Sequence, residues 1–311
     1  MAVAIEVRSL TRRFGAVTAI DALSFEVDRG ALFGLVGPDG AGKTTTLRML
    51  AGVLRPSGGD ALLDGISVAH DPEGVKGSIA YMSQRFGLYL DLSVRENIDF
   101  YADLYRVPRA DRAGRLQRLY GFSRLGPFED RLAGQLSGGM KQKLALCCAL
   151  IHHPGILLLD EPTFGVDPIS RRDLWLILHE MVAEGVTVVV STSYLDEAER
   201  CDRVALLHEG HLLALDEPAR LQSGLPGELL EVHASDYRRA LAVLRETHAV
   251  SRASLFGETL HVGLADRARD WPVAEAALAR AGITIGAVER IAPSLEDVFV
   301  ALVGSTVESA S

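Results

Sequence analysis

Disulfide pairs, membrane-length apolar runs and an excess of positive charge are all lacking in this 311-residue sequence. Three cysteines, two of them adjacent as Cys147 and Cys148, cannot build a disulfide framework, so the expected setting is a reducing cytosol. The N-terminal stretch MAVAIEVRSLTRRF lacks the apolar core of a secretory signal. The longest apolar tract, Leu144 to Leu159, is interrupted by His152-His153-Pro154-Gly155 and closes on Asp160-Glu161-Pro162, short of the roughly 20 uninterrupted residues a spanning helix needs. Any action on a membrane is therefore expected to run through a partner. Lys and Arg number 32 against 41 Asp and Glu, a net charge of −9, which leaves no electrostatic footprint for wrapping nucleic acid.

What is present is ample apolar content, 48% of residues, enough for one large domain or two. Short apolar runs bounded by turn residues, Ala31 to Val36, Ile156 to Leu159 and Val186 to Val190, alternate with helix-length segments. That is the pattern of central parallel strands, apolar on both faces, in an α/β sheet. Met140, Leu144, Cys147 or Cys148 and Ile151 recur at helical spacing after Ser137-Gly138-Gly139, with Ser137 as the expected N-cap. After the linker-like Gln222 to Gly227, the pattern is strand, helix (Asp236 to Arg245), two strands around Phe256-Gly257, helix (Pro272 to Arg280), strand and a short final helix. This order predicts a small βαββαβ sandwich, its last helix opened by the capping-box spacing of Ser294 and Asp297.

Gly37-Pro38-Asp39-Gly40-Ala41-Gly42-Lys43-Thr44 fits G-x-x-x-x-G-K-[ST], between a predicted strand and a predicted helix. Backbone N–H groups freed by the glycines, together with the positive end of the following helix, would cradle phosphates. Lys43 would reach the β- and γ-phosphates and the Thr44 hydroxyl part of a Mg²⁺ shell. The competing account is a glycine-rich turn that happens to hold Gly-Lys-Thr, which the two correct flanks disfavour. Asp160 and Glu161, at the end of the Ile156 run, would supply a water-bridged metal ligand and a carboxylate that polarises the attacking water. An acidic strand end facing solvent is the bland alternative.

Three further segments turn this pattern into a family resemblance. Leu136-Ser137-Gly138-Gly139-Met140 looks like the signature of the ATP-binding cassette family, Gln84 like its Q-loop glutamine, and Gly165-Val166-Asp167-Pro168 like its D-loop. The resemblance covers roughly residues 3 to 225. It implies an α/β P-loop NTPase cassette, a mixed sheet with a helical subdomain at about residues 85–150, within a domain spanning 1–225. It also implies ATP and Mg²⁺ as cofactors and a head-to-tail dimer of cassettes. One nucleotide would then be sandwiched between Gly37, Asp39, Gly40, Ala41, Gly42, Lys43, Thr44 and Thr45 of one subunit and Ser137, Gly138 and Gly139 of the other. Thr44, Gln84 and Asp160 are the implied metal ligands; Glu161, Gln84 and Ser193 are the implied catalytic positions. Phe14 stands where related cassettes stack an aromatic on adenine, with packing on a sheet edge as its alternative.

The sequence departs from the family at two places. Ser193 occupies the position of a γ-phosphate-sensing histidine, and Asp39 stands where asparagine is commoner. His152 and His153, placed in a helix-to-strand turn, do not replace that histidine and are expected at the surface. Both departures resemble the first cassette of bacterial tandem ATPase export subunits. The block around Pro293 to Phe299 resembles the accessory domain of ABC-2 type export ATPases, a small α+β ferredoxin-like domain at 226–304 followed by a tail at 305–311. Phe86, Tyr89, Phe100, Tyr101 and Tyr105 would form either a groove for a partner helix or a local core. The implied function is a peripheral ATPase subunit on the cytoplasmic face of the inner membrane. Its partners would be an ABC-2 type transmembrane permease and a second cassette, the same or different, with no nucleic acid. A catalytically degenerate, regulatory half of an asymmetric dimer is the alternative.

Overall fold

A computed structural model describes residues 2–85 and 87–309, with side chains through 304. The first unit, residues 1–215, opens with a hairpin of β1 (Val3–Phe14) and β2 (Val17–Asp28), whose alternating apolar residues pair in register, Ile5 with Val27 and Val7 with Phe25. There follow β3 (Leu32–Val36), α1 (Lys43–Leu50), β4 (Gly58–Leu63), β5 (Ile66–Ser67), α2 (Pro72–Ser78) and β6 (Ile79–Met82). A helical stretch comes next, α3 (Val94–Leu104), α4 (Arg109–Ser123) and α5 (Gly138–Leu150). The chain then returns through β7 (Ile156–Asp160), α6 (Pro168–Ala183), β8 (Thr187–Thr192), α7 (Leu195–Ala198), β9 (Arg203–His208) and β10 (His211–Asp216).

These strands form two sheets, β2-β1-β4-β5 and β10-β9-β3-β8-β7-β6. In the second, β9, β3, β8, β7 and β6 run parallel to one another. Every residue of β3, β7 and β8 is buried, which explains why their sequences are apolar without alternation. Parallel pairing sets Val36 beside Thr192 and Asp160 beside Ser191. The C-terminal ends of β3, β8 and β7 therefore open in one row, where an α/β sheet places its ligand crevice.

The helical stretch is pinned at its start. Ser93 and Glu96 close a capping box on α3, and the buried Asn97 amide donates to the carbonyls of Tyr89, Leu92 and Ser93 while accepting from Tyr89 N. Tyr89 meets Phe100 edge-on at 4.6 Å, and Phe100 meets Tyr101 at 5.4 Å, so the expected aromatic cluster packs on itself while Tyr89, Phe100 and Tyr105 keep exposed surface. Phe86, expected in the same cluster, lies outside the described residues.

The second unit, residues 216–311, holds α8 (Pro218–Ser223), β11 (Glu228–Ala234), α9 (Tyr237–Arg245), β12 (Val250–Phe256), β13 (Thr259–Leu264), α10 (Arg267–Arg280), β14 (Ile285–Ile291) and α11 (Leu295–Ser309). Its antiparallel sheet runs β12-β13-β11-β14, and Leu230, Val232, Leu260 and Val262 pack against Ala240, Leu244, Ala274 and Leu278 of two helices. The division falls after Leu215 rather than near residue 225, because α8 packs on α11. Helix α10 begins five residues before Pro272: Asp266 accepts from Arg269 N as its cap, and the proline sits inside the helix at the cost of one backbone bond. The Ser294–Asp297 capping box forms, with Asp297 N donating to Ser294 Oγ and Ser294 N to Asp297 Oδ2. Helix α11 continues into the residues expected to form a tail.

Candidate functional site

The loop between β3 and α1 adopts left-handed backbone at Gly40 (φ 82°) and Gly42 (φ 102°). At Gly42 a Cβ would also press within 2.3 Å of Ile20 Cδ1, so only glycine admits both the turn and the approach of β2. Helix α1 starts at Lys43 with no side-chain cap, leaving its first backbone N–H groups directed at the cleft. That cleft is lined by Ala19, Asp39, Gly40, Ala41, Gly42, Lys43, Thr44, Thr45, Gln84 and Glu161.

Lys43 is 4% exposed and is tethered on every side. Its ammonium donates to Gly37 O (2.7 Å), Pro38 O (3.1 Å) and Ser193 Oγ (2.8 Å), and lies 3.2 Å from Glu161 Oε1. Ser193 Oγ in turn donates to Glu161 Oε1 at 2.9 Å, and Gln84 Nε2 donates to Glu161 Oε2 at 3.2 Å. Three of the sequence-predicted residues thus meet on the carboxylate of a fourth. Glu161 has φ 47°, a backbone state that costs a non-glycine residue about 1–3 kcal/mol and that its N–H bond to Ser191 Oγ (2.9 Å) helps to hold.

Asp160 is buried and accepts at Oδ1 from Thr44 Oγ1 (2.9 Å) and Ser191 Oγ (2.8 Å). Thr44 Oγ1 and the Asp160 carboxylate are hard oxygen donors of the kind Mg²⁺ prefers, so Thr44 would hold the ion directly and Asp160 would hold it through water. Tyr81 OH approaches Asp160 Oδ2 at 3.4 Å, and burial together with that carboxylate pushes the phenol up to about 12, so it stays a donor. Ser191 and Tyr81 are site residues that the motifs alone do not reveal. The one signal for Ser191 was a hydroxyl at the end of an otherwise apolar strand.

Other predicted residues are placed apart. Phe14 ends β1, is 47% exposed and carries the Arg12 guanidinium on its ring at 4.4 Å, but it does not line the cleft; its hairpin reaches the cleft through Ala19. Asp39 does line the cleft and is exposed. Ser137 caps α5 by accepting from Met140 N (3.3 Å), with Gly138 exposed beside it. Gly139 is buried against the start of α6, where a Cβ would come within 2.1 Å of Ser170 Oγ. Among the described residues, no hydrogen bond or ion pair joins Ser137, Gly138 or Gly139 to the Gly37–Thr44 loop. His153 is exposed as expected, meeting Arg118 Nη1 at 2.9 Å, but His152 is half-buried. It stacks on Tyr105 at 3.8 Å and donates to Ile79 O, and burial lowers its pKa, so it serves the packing between α3 and β6.

Residues 20–164 match the family model described as "ABC transporter". The chain is 42% identical over 311 residues to the "Probable multidrug ABC transporter ATP-binding protein YbhF" of Escherichia coli (strain K12), covering 99% of this chain and 53% of that protein. It therefore spans about half the length of that relative. It is 35% identical over 308 residues to the "Nod factor export ATP-binding protein I" of Rhizobium sp. (strain N33), covering 98% of this chain and 99% of that one. The solved "Structure of ATP binding subunit of ABC transporter" superposes with a TM-score of 0.65 at 31% identity, covering 71% of this chain and 92% of the other.

Proposed function

The chain belongs to the ABC transporter ATP-binding protein family, and from that premise we propose that it binds and hydrolyses ATP to energise export through a separate ABC-2 type permease. The observation that carries this reading is the meeting of Lys43, Ser193 and Gln84 on Glu161 beside the Thr44–Asp160 pair.

Each group has work to do there. The loop amides and the N-terminus of α1 bind the triphosphate, and Lys43 turns from the carbonyls of Gly37 and Pro38 toward its oxygens. Thr44 and Asp160, with Gln84, would hold Mg²⁺, which when bound neutralises charge on the phosphates. Glu161, fixed from one side by Gln84 and from the other by Ser193, orients the attacking water and accepts its proton. Phe14 stacks on adenine with the ring face that Arg12 leaves free, worth about 1–3 kcal/mol. The separation of Ser137 from the chain's own loop supports a second cassette that supplies this helix tip to the γ-phosphate, whether the same chain or another. No helix among the described residues is long and apolar enough to cross a membrane. The proposed seat is the cytoplasmic face of the inner membrane, held by the permease.

A second reading is favoured by Ser193 itself. A neutral hydroxyl in the histidine's place suits a site that holds ATP and hydrolyses it poorly, as the regulatory half of an asymmetric dimer. Single-turnover hydrolysis by the purified chain separates the two. Phosphate release that stops in Glu161→Gln supports the ATPase; retained ATP without release supports the regulatory half; and no nucleotide binding overturns both. Co-purification of a multi-span membrane protein tests the export arm.

A further inference from the structure

Glu197 is 1% exposed and lies on the short helix α7, outside the cleft lining, yet it joins three segments around the cleft. Its Oε2 accepts from Thr163 Oγ1 (2.8 Å), two residues beyond Glu161, and from Thr192 Oγ1 (3.0 Å), the residue before Ser193. Its Oε1 is 3.3 Å from Arg171 Nε on α6, an ion pair whose N–H is not aligned for a hydrogen bond. Arg171 also lies over the Tyr194 ring at 4.5 Å, and Tyr194 N donates to Thr192 Oγ1 at 3.0 Å. A buried carboxylate is costly unless paired and hydrogen-bonded, so Glu197 depends on the two hydroxyl donors at Oε2 and on the Arg171 charge facing Oε1.

We propose that Glu197 is a positioning residue for ATP hydrolysis: it fixes the Glu161 and Ser193 segments relative to each other and ties both to α6. The inference rests on the ATPase reading of this site. Glu161 and Ser193 act through one shared contact of 2.9 Å, and they come from different strands. Backbone bonding between those strands ends with Glu161 N on Ser191 O at 3.2 Å. Beyond that point, Thr163 and Thr192 on the single oxygen of Glu197 are what carries the register forward. A misplacement of about 1 Å at a reacting group can cost on the order of a hundredfold in rate, so a loosened link shows in kcat before it shows in binding.

Two variants of the full chain test this, Glu197→Gln, which removes the charge facing Arg171, and Thr163→Val, which deletes one donor without changing shape. ATP affinity should stay within about twofold, while kcat falls about tenfold or more. Amide hydrogen exchange should rise together in peptides covering 161–166 and 191–196. Unchanged exchange in those peptides, or wild-type kcat in both variants, overturns the proposal. Should the wild-type chain bind ATP but release no phosphate, the ATPase reading falls and the exchange measurement alone decides the positioning role. If Glu197→Gln does not fold, Thr163→Val carries the test.

Discussion

Lys43 Nζ lies 3.2 Å from Glu161 Oε1, and the Ser193 hydroxyl closes the pair by accepting from the ammonium and donating to the carboxylate. The group that meets phosphate and the group that holds water are thus joined through a neutral link. Lys43→Ala removes the only cation in the cleft lining among the described residues and leaves a carboxylate that repels phosphate. Titration calorimetry with ATP should show affinity lost by at least about a hundredfold, two factors of about 1.4 kcal/mol. Retained affinity would mean that the phosphates bind elsewhere.

The same bridge makes Ser193 testable in both directions. Ser193→Ala deletes the hydroxyl that bridges Lys43 and Glu161, and should lower kcat severalfold with little change in KM. Ser193→His puts a ring that donates and accepts where the hydroxyl stands, and should raise single-turnover hydrolysis if loss of the histidine is what limits this site. A histidine variant no faster than wild type moves the limitation to Asp39 or to the partner cassette.

Much of this cleft was legible from residue order, because a phosphate loop must follow a strand and open a helix, and its carboxylate must end a neighbouring strand. Lys43, Thr44, Asp160 and Glu161 could be named on that ground. Ser191 and Glu197 could not: one hydroxyl at a strand end and one acid in an acidic helix gain meaning only when β7 and β8 lie side by side. The second unit followed the same divide. The strand expected after the linker is β11, but a helix expected from Pro272 missed the earlier start that Asp266 provides. Likewise the linker-like residues near Gly224 marked a composition change and not the division, which packing of α8 on α11 moves to residue 215.

Asp39 places a negative charge on the wall of a cleft built for a triphosphate. It is exposed, so screening limits the repulsion to a modest value, about 1 kcal/mol or less at physiological ionic strength. Asp39→Asn should tighten ATP binding by about twofold to fivefold at low salt, with the gain shrinking as salt is added. A gain that salt does not alter would point to a hydrogen bond of the asparagine instead of relief of charge.

In the second unit, two carboxylates tie stability to pH in a direction the structure fixes. Arg269, donating through Nε (2.7 Å) and Nη2 (3.0 Å), and the Asp266 N–H hold Asp270 down at about 2, below its ordinary 3.8. Burial pushes Asp297 up, but the His261 ring at 2.7 Å and both donors of Ser294 outweigh it, and its pKa is also lowered. A depressed folded-state pKa contributes stability in full above the ordinary value, and that contribution is lost as protons bind between the ordinary and folded values. Thermal melting of the full chain should therefore be insensitive to these groups above about pH 5 and should weaken from there toward pH 2. Asp270→Asn keeps an acceptor for the Asp266 N–H but loses the charge facing Arg269. It should melt lower than wild type at pH 6, and the gap should narrow as pH falls toward 2. A gap that stays constant over that range would mean that Asp270 titrates alike in the folded and unfolded chain.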